Sequence, residues 1–512
     1  FLSPYFPLPV VLTLGIPLAR MITFAGGSAS SIPGKVEKMN TEKTDMCISH
    51  RQSNARFWMS VVLLLSDLLS LLLAGVLAVS ARLAFEQSWR WDLYWQVIPV
   101  SGVCLLGYAF TRLYPGNSLG PIEELRRTTL TTTTVIFGLA GLTFFMRNPE
   151  SYSRLTLGLT WLFALGLVPL GRWFTRWLAA KWGRWGEPVM VVGQGQQTQA
   201  LVNYMLENLK NGLIPKAVFG GGMDDLPVPD YPIENALENH AQQPGMDTAL
   251  VLINEVPTEI LQALLSQHGR GYQRLILVPQ LEGVSSMGVS VFNLNGSFGI
   301  AVQDHLRHRG ELFVKRVMDL SVVIIGGALL LPLFGVITLC VCLDSKGGCF
   351  YGHSRIGKHG RKFRMWKFRT MLQNADLVLT EYLEKYPKLK AEWEADQKLK
   401  YDPRITRIGG LLRKYSLDEL PQIWNVFKGE MSLVGPRPIV DEESRRYAEK
   451  FEFYKQVKPG ITGLWQVSGR NDTTYEERVQ LDEQYVRSWS IWLDVYILIK
   501  TVWVVLRRDG AY

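Results

Sequence analysis

The chain has 512 residues, of which 47% are hydrophobic and 20% are charged, and its formal net charge is +9. This apolar fraction excludes a disordered or fibrous protein, and the length predicts about three or four folded units. The five cysteines form no C-x-x-C pair, which argues against both a secreted disulfide scaffold and a zinc module.

Residues 1–50 are expected to form an N-terminal leader followed by a cytoplasmic tail. The first 38 residues are apolar and rich in proline, and they lack the basic segment of a signal peptide. A polar stretch that is typical of a cytoplasmic N-terminus begins at Met39. We therefore interpret residues 1–38 as an unstructured or upstream-encoded leader.

Residues 51–185 are predicted to form four transmembrane helices. Each of four nearly charge-free segments approaches the ~20 residues that cross a hydrocarbon core. These segments are residues 57–81, 93–111, 128–146 and 155–171. Lys and Arg concentrate before the first segment, between the second and third, and after the fourth, so both ends of the bundle are expected in the cytoplasm. Asp67 is either a functional intramembrane acid or, as we favour, a residue that faces a neighbouring helix.

Residues 186–310 change to alternating strands and helices, which predicts a Rossmann-like α/β module. The first strand is expected at residues 189–192, and a helix is expected to begin near residue 199. Further strands are expected at residues 216–219, 249–253 and 274–278.

Gly193 and Gly195 fit the glycines that let a phosphate approach a dinucleotide fold. Thr198 replaces the third glycine, and Asp224 and Asp225 stand where an acidic ribose partner is expected. The alternative, which we favour, is a structural or dimerising module that binds no nucleotide.

Residues 320–343 contain no charged residue, and an uncharged run of this length is long enough to span a bilayer. Pro332 breaks or kinks a helix at this point, and both flanks are basic. Crossing would place one basic cluster outside, against the positive-inside tendency. We therefore predict a re-entrant helix at residues 316–343 that returns to the same side, with a kinked fifth span as the alternative.

An acidic pair, isolated arginines and glycine turns recur between residues 350 and 512. Arginine and exposed backbone N–H groups bind phosphate, and adjacent carboxylates can serve as nucleophile and magnesium ligand. The pattern around Asp418 and Glu419 therefore indicates phosphoryl transfer on a diphosphate. Alternatively, Ser416 and Glu419 form a capping box, and Asp418 is only a favourable charge at a helix start.

Residues 311–512 resemble the bacterial polyprenyl-phosphate sugar-1-phosphate transferases, the monotopic phosphoglycosyltransferases. The resemblance is carried by KFRTM (367–371), SLDELPQ (416–422), NVFKGEMSLVGPRP (425–438), KPGITGLWQVSGRN (458–471) and VVLRRDGAY (504–512). The preceding half is similar to that of the large members, and residues 114–127 look like a connector of the undecaprenyl-phosphate galactose phosphotransferases. In one departure, Leu331 stands where the small members have serine before the kink proline.

This resemblance implies an α+β catalytic domain at residues 311–512 in which Asp418 attacks the β-phosphate of a UDP-hexose and expels UMP. The phospho-sugar then passes to undecaprenyl phosphate, and Glu419 would hold Mg²⁺. The cations that would meet the substrate phosphates are Lys367, Arg369, Arg413, Arg437 and Arg470. Galactose is expected as the sugar, with glucose as the alternative, in the first membrane step of O-antigen, capsule or exopolysaccharide synthesis.

The resemblance further implies a multi-pass protein of the bacterial inner membrane with a cytoplasmic catalytic domain, with no nucleic-acid partner and with a homodimer left open. A membrane-anchored nucleotide-sugar dehydratase is a rival, because such enzymes share a front half of four helices and an α/β module. Tyr386/Lys390 and Tyr454/Lys458 have the required Tyr-x-x-x-Lys spacing, but no glycine-rich fingerprint precedes either pair, so we discount this rival. A membrane scaffold that senses nucleotide through Gly193 and Gly195 is a second rival. The apolar run at residues 489–506 predicts an interfacial helix or, alternatively, a core helix.

Overall fold

The structure is a computed structural model of the whole chain. It describes residues 35–86, 92–117, 119–145, 154–221, 226–233, 235–238, 248–266, 272, 274–279, 289–294, 297–302, 305–386, 402–468 and 474–507. Most of the predicted leader, Asp224, Asp225 and Arg470 lie outside these residues.

Four long helices pack together in the first third of the chain. The four long helices are α1 (Lys35–Glu86), α3 (Val97–Phe110), α4 (Pro121–Phe145) and α5 (Arg154–Lys181), and the short α2 (Asp92–Trp95) precedes α3. α1 packs against α3 and α5, and α4 packs against the same two helices. Each long helix contributes buried apolar side chains to one shared core, which confirms the predicted bundle.

Four helices of the described chain are long and apolar enough to cross a membrane, namely Ala55–Ala84, Leu93–Phe110, Arg154–Lys181 and Arg309–Asp344. Three of them coincide with predicted spans, and the fourth contains the predicted re-entrant segment. Residues 128–145 of the predicted third span lie in α4, which is not among the four. The first two turns of α4 carry charged residues, and a run of threonines follows.

Asp67 faces the neighbouring helix α5, as the favoured interpretation predicted. The Arg172 guanidinium donates to Asp67 Oδ1 at 2.8 Å and to Oδ2 at 2.6 Å, and it donates to Glu124 at 2.8 Å. The Tyr114 hydroxyl donates to Asp67 at 2.6 Å. Asp67 and Arg172 are 0% and 1% exposed, so the described bundle contains a buried ion network.

A parallel sheet of five strands follows the bundle, as predicted. Its elements are β1 (Glu187–Val192), α6 (Gln196–Glu207), β2 (Leu213–Phe219), β3 (Asp230–Tyr231), α7 (Asn235–Glu238), β4 (Thr248–Leu252), α8 (Thr258–Ser266) and β5 (Arg274–Val278). The strand order β3-β2-β1-β4-β5 reverses direction beside β1, which is the topology of a doubly wound fold. Glu187 accepts hydrogen bonds from Arg56, Asn117 and Thr248, so it joins the sheet to the bundle.

A hairpin of β6 (Val289–Leu294) and β7 (Ser297–Val302) leads to α9 (Arg309–Asp344), a single helix that contains Pro332. Near its start, Arg316 donates to the Val426 and Phe427 carbonyls at 2.7 and 2.9 Å. At its end, the Asp344 carboxylate accepts from the backbone N–H of residue 408 at 3.1 Å. Both ends of α9 therefore contact the C-terminal domain, while its middle exposes apolar side chains.

The C-terminal domain has α+β architecture. Its elements are β8 (Phe350–Ile356), β9 (Lys362–Phe368), α10 (Ala375–Lys385), α11 (Arg407–Lys414), α12 (Gln422–Lys428), β10 (Ser432–Val434), α13 (Asp441–Tyr447), α14 (Phe451–Tyr454), β11 (Gly460–Thr462), α15 (Leu464–Ser468), α16 (Tyr475–Arg487) and α17 (Ile491–Arg507). β8 and β9 pair antiparallel, whereas β10 and β11 pair parallel. A disulfide joins Cys342 and Cys349, a bond that the cysteine pattern does not predict.

Helix α17 is a core helix along one face. Leu493 and Ile497 are buried in the main core of the domain, whereas Val502 is exposed. Trp503 packs edge-on against Trp173 of α5, so the end of α17 contacts the bundle. The core-helix alternative therefore describes the first half of this helix.

Candidate active site

Asp418 and Glu419 lie on a short 3-10 turn, Leu417–Glu419, directly before α12. Ser416 has φ of 53°, in the left-handed region that non-glycine residues rarely adopt, and its side chain makes no cap hydrogen bond. The helix itself begins at Gln422. The capping-box alternative is therefore wrong, and the turn presents two adjacent carboxylates.

Lys367 brings a positive charge to this carboxylate pair. It lies near the end of β9, and its ammonium is 2.6 Å from Glu419 Oε1 and 3.7 Å from Asp418 Oδ2. The Asp418 side chain is only 13% exposed. The two carboxylates and one ammonium thus form a compact, partly buried group.

Arg413 reaches the same group from α11. Its Nε donates to the Thr370 hydroxyl at 3.0 Å, and its charge interacts with Asp418. Gly409, one turn earlier, packs so closely on Thr370 that an added Cβ would lie 2.2 Å from the Thr370 carbonyl oxygen. This glycine lets α11 approach the chain after β9, which brings Arg413 to the site.

Burial raises the pKa of Asp418, and the nearby Glu419 raises it further, while Lys367 and Arg413 oppose the shift. Burial lowers the pKa of Arg413, and Asp418 opposes that shift. An ionised Asp418 therefore depends on the two cations beside it. A poorly solvated carboxylate of this kind is suited to act as a nucleophile.

Substitution of Lys367 by methionine is expected to shift the acidic limb of the pH–rate profile to higher pH. The Lys367 ammonium lowers the pKa of Asp418, so its removal raises that pKa. As the pH falls, the variant therefore loses the ionised Asp418 carboxylate at a higher pH than the wild type does. The rate at pH 7 should fall about a hundredfold, as for other lost charge-stabilising donors.

Lys362→Met is the matched control, because Lys362 lies on the same strand but forms an exposed pair with Asp441. The rate of release of UMP, the product that the resemblance implies, is measured for both variants between pH 5 and 9. An unchanged acidic limb in Lys367→Met would show that Lys367 does not govern the charge of Asp418.

Arg369 lies apart from the carboxylates. Its guanidinium donates to the Ser345 carbonyl at 2.6 Å, the Ser345 hydroxyl at 2.8 Å and the Lys346 carbonyl at 3.2 Å. These groups follow the last turn of α9, and Arg369 is buried. In the described structure Arg369 therefore fixes the end of the apolar helix and does not face Asp418.

Arg437 belongs to a second group of cations. Its guanidinium lies 5.6 Å from the Trp465 ring, and that of Arg478 lies 4.4 Å from the same ring. Arg355 interacts electrostatically with Arg437, and burial lowers the pKa of Arg355. Burial also raises the pKa of the neighbouring Asp482 to about 7. Arg355 and Arg478 were not among the predicted site residues.

One face of the β8–β9 hairpin connects the two groups. Tyr351 pairs with Lys367 in the register, and residues at alternate positions of a strand share a face. Tyr351, His353 and Arg355 therefore follow one another on the face that carries Lys367, over about 13 Å. The alternation of aromatic, imidazole and guanidinium groups in residues 351–355 is the sequence signal that could have identified them.

The donor set at Asp418 and Glu419 fits Mg²⁺. This ion is usually held by one or two carboxylates together with substrate phosphates and waters, not by a complete protein cage. No group of three or more His, Cys, Asp or Glu side chains with metal-site geometry occurs among the described residues. Adjacent carboxylates are the donor type that a magnesium ion shared with a substrate diphosphate uses.

At the start of α6 in the parallel-sheet module, the Glu255 side chain accepts hydrogen bonds from the free backbone N–H groups. The Glu255 carboxylate accepts from the Thr198 N–H at 3.1 Å, from the Gln197 N–H at 3.3 Å and from the Thr198 hydroxyl. A dinucleotide fold places its pyrophosphate at this position. This contact supports the structural alternative for Gly193 and Gly195.

The rival Tyr-x-x-x-Lys site is not supported. The Tyr454 hydroxyl donates to the Ile356 carbonyl at 2.8 Å and is buried, so its role is structural. Tyr454 is therefore not available as the catalytic tyrosine of the rival site. Lys390 lies outside the described residues.

Comparisons with known proteins bear on both halves of the chain. Residues 310–508 match a family described as bacterial sugar transferase, and residues 111–242 match a CoA-binding domain. A UDP-galactose-lipid carrier transferase of Erwinia amylovora is 38% identical over 400 residues, which cover 76% of this chain and 82% of that protein.

Two further relatives differ in the sugar that their names specify. An undecaprenyl-phosphate galactose phosphotransferase of Salmonella typhimurium is 39% identical over 399 residues, covering 74% of this chain and 81% of that protein. A UDP-glucose:undecaprenyl-phosphate glucose-1-phosphate transferase of Xanthomonas campestris pv. campestris is 35% identical over 301 residues, which cover 57% of this chain and 58% of that protein.

Proposed function

Because the chain belongs to the bacterial sugar transferase family, we propose that it transfers galactose-1-phosphate from UDP-galactose to undecaprenyl phosphate and releases UMP. The observation that carries this proposal is the partly buried Asp418 carboxylate, which lies 3.7 Å from the Lys367 ammonium and interacts with the charge of Arg413. Such a group is a nucleophile whose surroundings already compensate negative charge. The relatives from Erwinia amylovora and Salmonella typhimurium, which match over 400 and 399 residues, name galactose, whereas the relative that names glucose matches over 301, and this favours galactose.

The reaction consists of two displacements at one phosphorus atom. In the first, an Asp418 oxygen bonds to the β-phosphorus, the bond to the bridging oxygen breaks, and UMP leaves with that electron pair. In the second, an oxygen of undecaprenyl phosphate attacks the same phosphorus, and the Asp418 carboxylate is released. Two easier steps thus replace a direct encounter of two anions.

The cations around Asp418 reduce the repulsion between this carboxylate and the incoming phosphates. Lys367 and Arg413 lie close enough to neutralise charge on the transferred phosphoryl group. Arg355 and Arg437, at the other end of the hairpin face, suit the nucleotide phosphate. A bound Mg²⁺ on Glu419 would neutralise diphosphate charge and orient the leaving group.

The position of α9 supports a re-entrant helix and a catalytic domain on one side of the membrane. Arg316 and Asp344, near its two ends, bond to the same domain, and Leu329 in its middle is 79% exposed. A helix that crossed the bilayer would separate these ends. With the bundle orientation expected from its basic loops, this side is the cytoplasm of the inner membrane.

Cysteines placed at the exposed positions Arg309 and Lys346 test this arrangement. In intact spheroplasts a membrane-impermeant maleimide should label neither variant above the wild-type background. After lysis it should label both. Labelling of Lys346→Cys alone in intact spheroplasts would establish a fifth crossing and end the re-entrant model.

UMP release by the purified protein with undecaprenyl phosphate tests the proposed function. UDP-galactose should give the highest kcat/KM, compared with UDP-glucose and UDP-N-acetylhexosamines, and EDTA should abolish the reaction. Faster reaction with UDP-glucose would overturn the assignment of galactose. Absence of UMP with every donor would overturn the transferase assignment and favour the sensor alternative.

A further inference from the structure

A cationic cavity lies beside the first turns of the apolar helix α9. It has a volume of about 250 Å³ and is lined by Lys315, Arg316, Lys358 and Lys458, with Asp319 as the lining acid. Leu312 and Trp489 are among its apolar walls. None of the residues that contact Asp418 in the described structure lines this cavity.

The charges in the cavity are unbalanced. Lys315 is paired with Asp494 at 2.7 Å and approaches Asp319 at 3.4 Å, and Arg316 donates to backbone carbonyls. No ion pair joins Lys358 or Lys458 to a carboxylate in the part of the chain that the structure describes. Four cations against Asp319 and Asp494 leave two positive charges, which a phosphate dianion would neutralise.

The two unpaired lysines are held close to other cations in a partly buried setting. Burial lowers the pKa of Lys458, and Arg316, Lys358 and Lys315 lower it further, while Asp319 opposes the shift. Burial also lowers the pKa of Lys358. An anion in the cavity would remove this unfavourable interaction.

The cavity is adjacent to the carboxylate pair but separate from it. Helix α12 begins three residues after Glu419, and its last carbonyls accept from Arg316. Seven helical residues span about 10 Å, so the cavity lies beyond the far end of α12. A ligand bound there does not occupy the place of the transferred phosphoryl group.

The cavity opens beside the apolar face of α9. Leu312, Lys315 and Arg316 line it, whereas Phe313, Val314 and Val317 on the same turns are exposed apolar residues. Walls that combine cations with leucine, valine and tryptophan suit a phosphate that carries a hydrocarbon chain. A free phosphate ion would use only part of this volume.

We propose that this cavity is a binding site for the phosphate head group of a membrane lipid. The lipid carrier and an ordinary phospholipid present the same chemistry, and binding experiments can separate them. The site extends the proposed function, because it would hold a lipid phosphate within reach of the catalytic domain while sugar-phosphate chemistry proceeds at Asp418.

Native mass spectrometry of the full-length protein from phosphatidylcholine nanodiscs tests the proposal with added undecaprenyl phosphate or phosphatidic acid. We expect one bound lipid phosphate in the wild type and at least tenfold weaker binding in K358M/K458M. The variant K358R/K458R, which keeps both charges, should bind like the wild type. The control K362M/K385M removes two lysines that do not line the cavity.

The outcomes identify the occupant. Preference for undecaprenyl phosphate, with loss of transfer in K358M/K458M but an intact stoichiometric burst of UMP, assigns the carrier. Preference for phosphatidic acid, with transfer retained, assigns a phospholipid. Unchanged lipid binding in K358M/K458M, or displacement of lipid by millimolar inorganic phosphate, would overturn the proposal. A wild type that binds lipid but releases no UMP would refute only the transferase function.

Discussion

Substitution of Asp418 by asparagine is expected to abolish UMP release, with a loss of about 10⁴-fold or more, as for other removed nucleophiles. The amide has nearly the shape of the carboxylate but cannot form the phospho-aspartyl intermediate. Because burial disfavours the charged form of Asp418, the neutral amide should not destabilise the turn. The loss of rate is measured as UMP release from UDP-galactose. The loss of the covalent phospho-hexose is measured by mass spectrometry of the intact protein.

Asp441→Asn is the matched control, because Asp441 is an exposed aspartate whose ammonium partner is Lys362. It should retain the wild-type rate and the covalent adduct. Release of UMP by Asp418→Asn at a rate near that of the wild type would place the nucleophile elsewhere. A retained adduct on another residue would identify it.

Much of this site was predictable because its residues are close in sequence or on regular elements. The pair Asp418 and Glu419 is contiguous, and the run of charge-free residues at 57–81 predicts a helix without knowledge of its neighbours. The resemblance to the sugar transferases is confirmed by the matches over residues 310–508 and over most of the chain. The alternation of β-branched runs and glycines likewise predicts the doubly wound sheet.

Other features depend on contacts that local pattern does not contain. Lys367 and Arg369 stand two positions apart, which suggests a shared strand face, but β9 ends at Phe368 and Arg369 turns to the end of α9. Glu255 caps Thr198 from another strand-to-helix connection. Such pairings arise from the packing of elements and cannot be read from spacing.

The Asp67–Arg172 pair could not be predicted from local pattern, because 105 residues separate its members. Arg172 appears in the sequence as one of several cytoplasmic arginines after the fourth apolar segment. In the structure it points into the bundle and is buried with Asp67 and Glu124. Its energetic importance exceeds that of the exposed arginines around it, because two buried carboxylates depend on it.

Substitution of Arg172 by methionine is expected to destabilise the bundle by about 3–5 kcal/mol, the usual cost of leaving a buried charge unpaired. Methionine retains much of the side-chain volume, so the loss reports charge and hydrogen bonds more than a cavity. Unfolding of the full-length protein in nanodiscs, followed by circular dichroism against temperature and denaturant, measures the change.

Two comparisons separate the ion network from general damage to α5 and its neighbours. Arg126→Met removes an exposed arginine whose pair with Glu123 is 3.3 Å long, and it should cost less than about 1 kcal/mol. The double variant Arg172→Met with Asp67→Leu should recover most of the stability, because no carboxylate is then left buried opposite methionine, and Glu124 keeps its contact with Arg176. Equal destabilisation by Arg172→Met and Arg126→Met would show that the buried network contributes no more than a surface pair.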